Sequence, residues 1–187
     1  MSEKKTIALD LDGVIWDMVR PWVAEYNRIY DDNLNYEDIT DYDLTLFMKK
    51  CTREDYCHIL TDPNFWQKVE PFKGNAEWLE KLNNKYNVVI ATKTDYRIFE
   101  MKVKRIFELF PFIKYNQIIC ISQKEMLNVD CLVDDCIDNL NGVGIPRRRS
   151  RDKCRVIYDA PYNKDCQYPR VRNLEELYNL LKKLFME

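Results

Sequence analysis

The sequence lacks several features that define common classes of protein. It has no apolar run of about 18 residues, the length that crosses a bilayer. Its first six residues are largely polar and lead into an apolar stretch that is too short for the core of a signal peptide. The glycine-rich runs that bind nucleoside triphosphates or dinucleotides are absent as well. We therefore expect a cytoplasmic protein that does not contact a membrane.

Zinc and disulfide chemistry are also disfavoured. The chain has one histidine and seven cysteines, and without a Cys-x-x-Cys pair it cannot complete a zinc set of the usual spacing. An odd number of cysteines in a chain with no sign of export indicates reduced thiols. We expect all seven to be free: Cys51, Cys57, Cys120, Cys131, Cys136, Cys154 and Cys166.

The charges of the chain nearly cancel. There are 29 lysines and arginines against 31 acidic residues, a net charge of -2, so the overall charge does not attract nucleic acid. A hydrophobic content of 46% and a charged content of 32% are typical of a globular protein. The densest charged run is Arg147–Arg151. We interpret it as a solvated loop; the alternative is a basic edge that attracts phosphate-bearing substrates or the end of a nucleic acid.

Short apolar strands alternate with helical stretches along most of the chain. The strand patterns fall at 6–11, 87–91, 117–121, 129–133 and 155–158, and the helical patterns at 76–86, 96–110 and 174–186. An Asn173-x-x-Glu176 cap begins the last helix. This alternation predicts an α/β fold, a Rossmann-like parallel sheet with helices on both faces.

One segment, residues 17–73, interrupts the alternation. It is rich in aromatic residues and helical patterns but has no convincing strand, and Thr52-x-x-Asp55 marks the start of one helix. We therefore expect a small α-helical cap domain at 17–73, inserted after the first strand. The core domain would then be formed by 1–16 together with 74–187.

Two acidic residues and a glycine follow the first strand directly. Side chains alternate along an extended backbone, so Asp10 and Asp12 point to the same side. Gly13 allows a sharp turn that brings backbone N–H groups close to an anion. A strand that simply ends in an acidic turn would show the same pattern, so this motif alone is only moderately specific.

The ends of the other strands carry polar residues too. Thr92 and Lys93 follow the second strand, Lys124 follows the third, and Asp134 and Asp135 end the fourth. In a parallel α/β sheet these positions share the carboxyl edge, where such folds bind ligands. Oxygen ligands suit Mg²⁺, and hydroxyl and ammonium donors suit a phosphoryl group. Together they predict a site for Mg²⁺ and phosphate.

These residues resemble the four motifs of the haloacid dehalogenase-like phosphatase superfamily. Asp10-x-Asp12-Gly13 is similar to the first motif, Thr92 to the second, Lys124 to the third and Asp134-Asp135 to the fourth. Within the superfamily the chain most resembles the 5'(3')-deoxyribonucleotidase group. The features that carry this resemblance are the Asp-Gly-Val-x-x-Asp extension to Asp17, residues 64–74, Ala160-Pro-Tyr-Asn163 and Pro169-Arg-Val-Arg-Asn173.

The resemblance implies a role for each of these residues. Asp10 would attack phosphorus and become an aspartyl phosphate, and Asp12 would act as general acid and then as general base. Mg²⁺ would bind Asp10, the backbone carbonyl of Asp12 and Asp135, with Asp134 as an outer partner. Thr92, Lys124 and the backbone of Gly13 would hold the phosphoryl oxygens. Lys93 stands where the group has a small hydroxyl residue and is a further candidate phosphate ligand.

The substrate implied by the resemblance is a (deoxy)ribonucleoside monophosphate. Trp16, Phe65 and Trp66 are the candidates for contact with its base, although most aromatics in such a segment are core residues. Tyr162 and Asn163 either border the site or only cap a turn. The alternatives are a phosphatase that acts on polynucleotide ends or small phosphometabolites, and a non-catalytic binding module. The choice between a monomer and a homodimer stays open.

Overall fold

A computed structural model describes residues 4–141 and 154–186 of the chain. The basic run Arg147–Arg151 lies outside these residues, so the two interpretations of that run stay open. All seven cysteines lie within the described ranges, and all are free thiols, as predicted. Among the described helices, none is both long enough and apolar enough to cross a membrane.

A parallel sheet of six strands forms the centre of the molecule, in the order β5-β4-β1-β6-β7-β8. Its strands are β1 (Thr6–Leu9), β4 (Asn87–Thr92), β5 (Ile118–Cys120), β6 (Cys131–Asp134), β7 (Cys154–Tyr158) and β8 (Arg170–Val171). The central strand β1 pairs with β4 on one side and with β6 on the other. Its residues Ile7, Ala8 and Leu9 are fully buried, as a strand covered on both faces requires. The predicted α/β fold is confirmed.

Helices cover both faces of the sheet, as predicted. The helices of the α/β part are α4 (Asn75–Lys85), α5 (Tyr96–Leu109), α6 (Ile137–Asn141) and α7 (Leu174–Leu184). Ile7 and Leu9 pack in one apolar cluster with residues of α4, α5 and α7, whereas Ala8 packs in a second cluster with α6. The predicted cap of α7 is present, since the Asn173 side chain accepts a hydrogen bond from the Glu176 N–H at 2.8 Å.

The segment inserted after β1 is mainly helical. Its helices are α1 (Val19–Tyr30), α2 (Arg53–Thr61) and α3 (Pro63–Trp66). Thr52 and Asp55 form the predicted capping box of α2. The sequence pattern missed the antiparallel pair β2 (Trp16–Asp17) and β3 (Glu70–Pro71), because two residues are too few to show alternation. The domain limits at 17 and 73 stay a prediction.

Candidate active site

Four strands of the sheet bring the candidate residues to one edge. Asp10 follows β1 and its N–H donates to the Val133 carbonyl of β6 at 2.9 Å. Thr92 ends β4, Lys124 lies beyond β5, and Asp134 ends β6. All four side chains are buried, as is Asp135. The parallel strands thus bring together the acids, the hydroxyl and the ammonium that the motifs single out.

Lys124 lies between two of the acids. Its Nζ donates to Asp10 Oδ1 at 2.5 Å and to Asp134 Oδ2 at 2.6 Å. Burial alone would lower the pKa of the Lys124 ammonium group, but the charges of Asp10 and Asp134 outweigh burial and raise it. Lys124 is therefore a permanent cation that offsets part of the negative charge of the site.

Asp10 lies in a strongly acidic and dry environment. Burial raises the pKa of its carboxyl group to about 7; Lys124 opposes this rise, while Asp134 and Asp12 add to it. Burial and the charges of Asp10 and Asp134 also raise the pKa of Asp135. Lys124 alone does not compensate for the three buried carboxyl groups of Asp10, Asp134 and Asp135, so an additional cation would stabilise the site.

Both oxygens of Asp12 accept hydrogen bonds from buried side chains. The indole Nε1 of Trp16 donates to Oδ1 at 2.7 Å, and Lys102 Nζ donates to Oδ2. Lys102 Nζ also lies 3.4 Å from Thr92 Oγ1. Because the carboxyl group is held at both oxygens, it keeps one orientation beside Asp10.

Lys102 is not among the residues predicted from the sequence, although a signal for it was present. It lies on α5 between Ile98 and Ile106, at the four-residue spacing that places side chains on one face of a helix. Both isoleucines are buried and Lys102 is 3% exposed. A buried lysine in the apolar stripe of a helix requires a partner for its ammonium group, which here is the partly buried carboxyl group of Asp12.

The two acids at the end of β6 have different surroundings. Asp134 Oδ1 accepts from Cys136 N at 2.9 Å and from Asn139 Nδ2 at 3.0 Å, while its Oδ2 accepts from Lys124. Asp135 Oδ2 accepts from the Tyr162 hydroxyl. Its buried Oδ1 has no hydrogen-bond partner in the described part of the chain. Asp135 is therefore the acid with an oxygen left for a ligand.

Gly13 lies directly against Asp135. Its φ is +79°, in the left-handed region that favours glycine. A Cβ atom on Gly13 would lie 2.1 Å from Asp135 Oδ2 and 3.4 Å from the Tyr162 hydroxyl oxygen. Glycine at this position therefore allows the turn after β1 to approach the acid closely.

Tyr42 extends from the inserted segment to the same edge. Its ring lies 5.9 Å from that of Tyr162, at an interplanar angle of 76°. About half of Tyr42 is exposed, but burial together with the charges of Asp135 and Asp10 raises the pKa of its hydroxyl group. The inserted segment thus brings the aromatic side chain of Tyr42 to the acidic site. Tyr42 is not among the site residues predicted from the sequence.

The candidate base-contacting residues pack inside the protein. Trp16, Phe65 and Trp66 are all buried, and Trp16 lies 5.8 Å from Trp66. Lys93 is exposed next to Thr92. Substrate contacts by these four residues stay predictions, and contacts by the three aromatics would require their rings to become accessible.

The acids form a suitable site for a divalent cation. One carboxylate oxygen from each of Asp10, Asp134 and Asp135 can be chosen such that all three lie within 4.8 Å of one another. Oxygen ligands are those that a hard cation such as Mg²⁺ prefers. Asp135 Oδ1, which has no partner within 4–141 and 154–186, and the excess of negative charge both fit such an ion.

Solved structures share this fold. A HAD hydrolase from Bacillus subtilis, whose structure is bound to magnesium, matches with a TM-score of 0.58 and 16% identity. The match covers 96% of this chain and 99% of that one. The likeness shows the haloacid dehalogenase-like fold over nearly the whole chain.

By its fold and by its relatives, the protein is a phosphoric monoester hydrolase of the haloacid dehalogenase-like superfamily. It belongs to the family described as 5' nucleotidase, deoxy (pyrimidine), cytosolic type C, whose model matches residues 4–185. A 5'(3')-deoxyribonucleotidase from Clostridium acetobutylicum is 33% identical, with 97% of each chain covered. Another from Bacillus subtilis is 30% identical, covering 93% of this chain and 96% of the relative.

Proposed function

We propose that the protein is a Mg²⁺-dependent 5'(3')-deoxyribonucleotidase of the cytoplasm. It hydrolyses (deoxy)ribonucleoside monophosphates to nucleoside and phosphate through an aspartyl phosphate on Asp10. The observation that carries this proposal is the buried pair of Asp10 and Lys124, beside an Asp135 oxygen without a partner among the described residues. The names of the relatives support the substrate class.

In the first step, an oxygen of the Asp10 carboxylate attacks phosphorus. The bond between phosphorus and the ester oxygen breaks, and Asp12 gives its proton to that oxygen, so that the nucleoside leaves as an alcohol. Trp16 and Lys102 hold both oxygens of Asp12. This fixed orientation supports a role for Asp12 in proton transfer to the ester oxygen.

In the second step, water hydrolyses the aspartyl phosphate. Asp12 takes the proton of the attacking water, and the bond between Asp10 and phosphorus breaks to release inorganic phosphate. Asp12 thereby returns to its protonated form, and Asp10 to the carboxylate. One carboxyl group can serve as acid and then as base because the second step returns to Asp12 the proton that it gave up in the first.

Asp10, the backbone carbonyl of Asp12 and Asp135 would hold Mg²⁺. When bound, the ion supplies positive charge that offsets the carboxylates and the phosphoryl oxygens. Asp134 would stay an outer partner, because its hydrogen bonds to Lys124, Cys136 and Asn139 already use both of its oxygens.

The phosphoryl oxygens would be held by Thr92, Lys124 and the backbone of Gly13. Lys124 has three N–H donors. Asp10 and Asp134 use two of them, and no other described residue takes the third, so it is available for a phosphoryl oxygen. Lys93 would add a further charge from the rim of the site. Such preorganised donors stabilise the charge that spreads over the phosphoryl group during transfer.

A panel of substrates tests the proposal. Phosphate release would be measured with 5'- and 3'-mononucleotides, in ribo and deoxy forms, and with a 3'-phosphorylated oligonucleotide, with Mg²⁺ and with EDTA. We expect Mg²⁺-dependent release from deoxyribonucleoside monophosphates, which the Asp10→Asn variant does not show. Faster release from the oligonucleotide would instead identify a polynucleotide end phosphatase. No release from any substrate would favour a non-catalytic binding module.

A further inference from the structure

Tyr162 makes a direct contact with one of the buried acids. It lies in the short helix Pro161–Asn163 that follows β7, and its hydroxyl donates a hydrogen bond to Asp135 Oδ2. The other oxygen of this carboxyl group, Oδ1, is the buried atom without a partner in the described ranges. The hydroxyl therefore distinguishes two oxygens that are otherwise equivalent.

The same short helix also holds the backbone of Asp135. The side-chain Nδ2 of Asn163 donates to the backbone oxygens of Asp135 and Tyr158, at 2.8 Å each. Asn163 Oδ1 accepts in turn from Arg170 Nη1 at 2.7 Å. Two consecutive residues thus fix the main chain and the carboxyl group of Asp135 from one side.

Gly13 also lies directly against the carboxyl group of Asp135. The space that a Cβ of Gly13 would fill is occupied by Asp135 Oδ2, at 2.1 Å from the ideal position of that atom. Asp135 Oδ2 therefore contacts both the turn after β1 and the Tyr162 hydroxyl. Rotation of the carboxyl group would break the hydrogen bond from Tyr162.

We propose that Tyr162 is a positioning residue for the metal site: by binding Asp135 Oδ2, it keeps Oδ1 available as the ligand atom for the divalent cation. This inference rests on the proposed Mg²⁺ dependence. A hydrogen bond to a ligating carboxylate orients it before the ion arrives, and losing such a partner typically weakens metal affinity about 10- to 100-fold.

Direct binding of Mn²⁺, followed by electron paramagnetic resonance, tests the inference without relying on activity. The variant is Tyr162→Phe, which removes only the hydroxyl. Tyr168→Phe is the matched control, because the Tyr168 hydroxyl donates to Asn141 at 2.9 Å and accepts from Arg155 at 3.2 Å. We expect Tyr162→Phe to weaken Mn²⁺ binding about tenfold or more and Tyr168→Phe to leave it unchanged.

Activity of the same variants separates positioning from catalysis. We expect Tyr162→Phe to raise the Mg²⁺ concentration for half-maximal activity by the factor seen in Mn²⁺ binding. At saturating Mg²⁺ its kcat should stay within about threefold of the unmodified protein, since the reacting groups remain. A fall in kcat that excess Mg²⁺ does not restore would contradict a positioning role.

A pair of glycine variants supplies a second test if Tyr162→Phe does not fold. Gly13→Ala would displace Asp135 Oδ2 from the hydroxyl. Gly74→Ala introduces alanine at a similar φ of +81°, but the nearest atom to its Cβ, in Trp78, lies at 4.0 Å. We expect only Gly13→Ala to weaken Mn²⁺ binding. Equal binding by the two glycine variants would overturn the inference.

Asp135→Asn distinguishes this inference from the proposed function. If the unmodified protein binds no Mn²⁺, or Asp135→Asn binds it equally well, the proposed metal site is wrong. If Asp135→Asn loses binding while Tyr162→Phe and Tyr168→Phe both bind like the unmodified protein, the site is correct and the role of Tyr162 is wrong.

Discussion

Lys102 donates a hydrogen bond to Asp12 and thereby joins the middle of α5 to the turn after β1. The contact connects a helix on one face of the sheet to the proposed acid and base of the reaction. Lys102 is almost fully buried and the Asp12 side chain is only 20% exposed, so the hydrogen bond is stronger than it would be in water. Removal of the Lys102 ammonium group should therefore disturb the orientation of Asp12.

The Lys102→Met variant should fold but react slowly. Asp12 would lose the partner of its Oδ2 and part of its fixed orientation, and misplaced proton transfer reduces kcat. Since general acid–base catalysis contributes about 10²–10⁴-fold, we expect kcat to fall at least about tenfold with little change in KM. Steady-state kinetics measure this.

Lys104→Met is the matched control for that variant. Lys104 lies on the same helix, but it is exposed and pairs with Glu100 at 2.7 Å. The same substitution there should change kcat by less than about twofold, since a surface ion pair contributes little. Equal effects of the two variants would mean that Lys102 supports α5 rather than Asp12.

Asp10 should make the metal-free protein sensitive to pH. Its pKa is raised from 3.8 to about 7, so between these values the folded state binds more protons than the unfolded chain. The free energy of unfolding should therefore fall as the pH rises from about 4 to 7. Asp10→Asn removes this contribution. In EDTA, the melting temperature of Asp10→Asn minus that of the unmodified protein should therefore increase as the pH rises from about 4 to 7.

Thermal melts in EDTA from pH 5 to 8 measure this dependence. Addition of Mg²⁺ at pH 8 should restore stability to the unmodified protein, because the ion binds the ionised acids. A difference in melting temperature between the two proteins that does not vary with pH would show that Asp10 is already ionised at pH 5.

Substitution of Asp134 and of Asp135 should have different effects. Asp134→Asn removes one partner of the buried Lys124, and we expect a loss of about 2–3 kcal/mol, less than a full buried pair because Asp10 remains. Asp135→Asn breaks no ion pair among the described residues and relieves repulsion from Asp10, so stability in EDTA should be unchanged or higher. Chemical denaturation with EDTA compares them; a greater loss for Asp135→Asn would contradict the proposed assignment.

Glu25 should contribute to stability except in acid. It accepts from Arg28 and Lys68 at 2.6 Å each, which ties α1 to the residues before β3. These two bonds lower the pKa of Glu25 from 4.5 to about 2. A lowered pKa gives stability that is complete above the unfolded value and is lost as the pH falls towards about 2.

The variant Glu25→Gln tests this contribution. The difference in urea midpoint between the unmodified protein and Glu25→Gln should be constant from pH 8 to about 5 and should shrink below about 4.5. A difference of the same size throughout would show that the carboxylate charge is irrelevant and that only packing was changed.

The sequence predicted the sheet because its strands are buried on both faces. β1 and β4 contain the apolar runs 7–9 and 88–91. The polar residues that follow such runs meet at one edge of a parallel sheet. The short strands β2, β3 and β8 have two residues each, which is below the length at which a pattern exists. Their pairing is decided by tertiary contacts.

The side-chain partners within the site were harder to predict. The resemblance implies that Asp135 is the metal ligand and Asp134 an outer partner, and the hydrogen bonds to Cys136, Asn139 and Tyr162 supply a physical reason for that choice. Tyr162 is distant from Asp135 in the chain, so no local spacing relates them. By contrast, the apolar stripe of α5 did contain a signal for Lys102.

The direct test of Asp10 as nucleophile is to trap the phosphorylated enzyme. Because Asp12 acts in both steps, the trap combines Asp12→Asn with p-nitrophenyl phosphate, whose leaving group needs no proton. Asp10 should still be phosphorylated while hydrolysis of the intermediate is slowed, so rapid acid quenching should preserve it. Mass spectrometry of the digested protein should then find one phosphoryl group on the peptide that contains Asp10. A phosphoryl group on a different residue, or phosphate release by Asp10→Asn at an undiminished rate, would contradict the account.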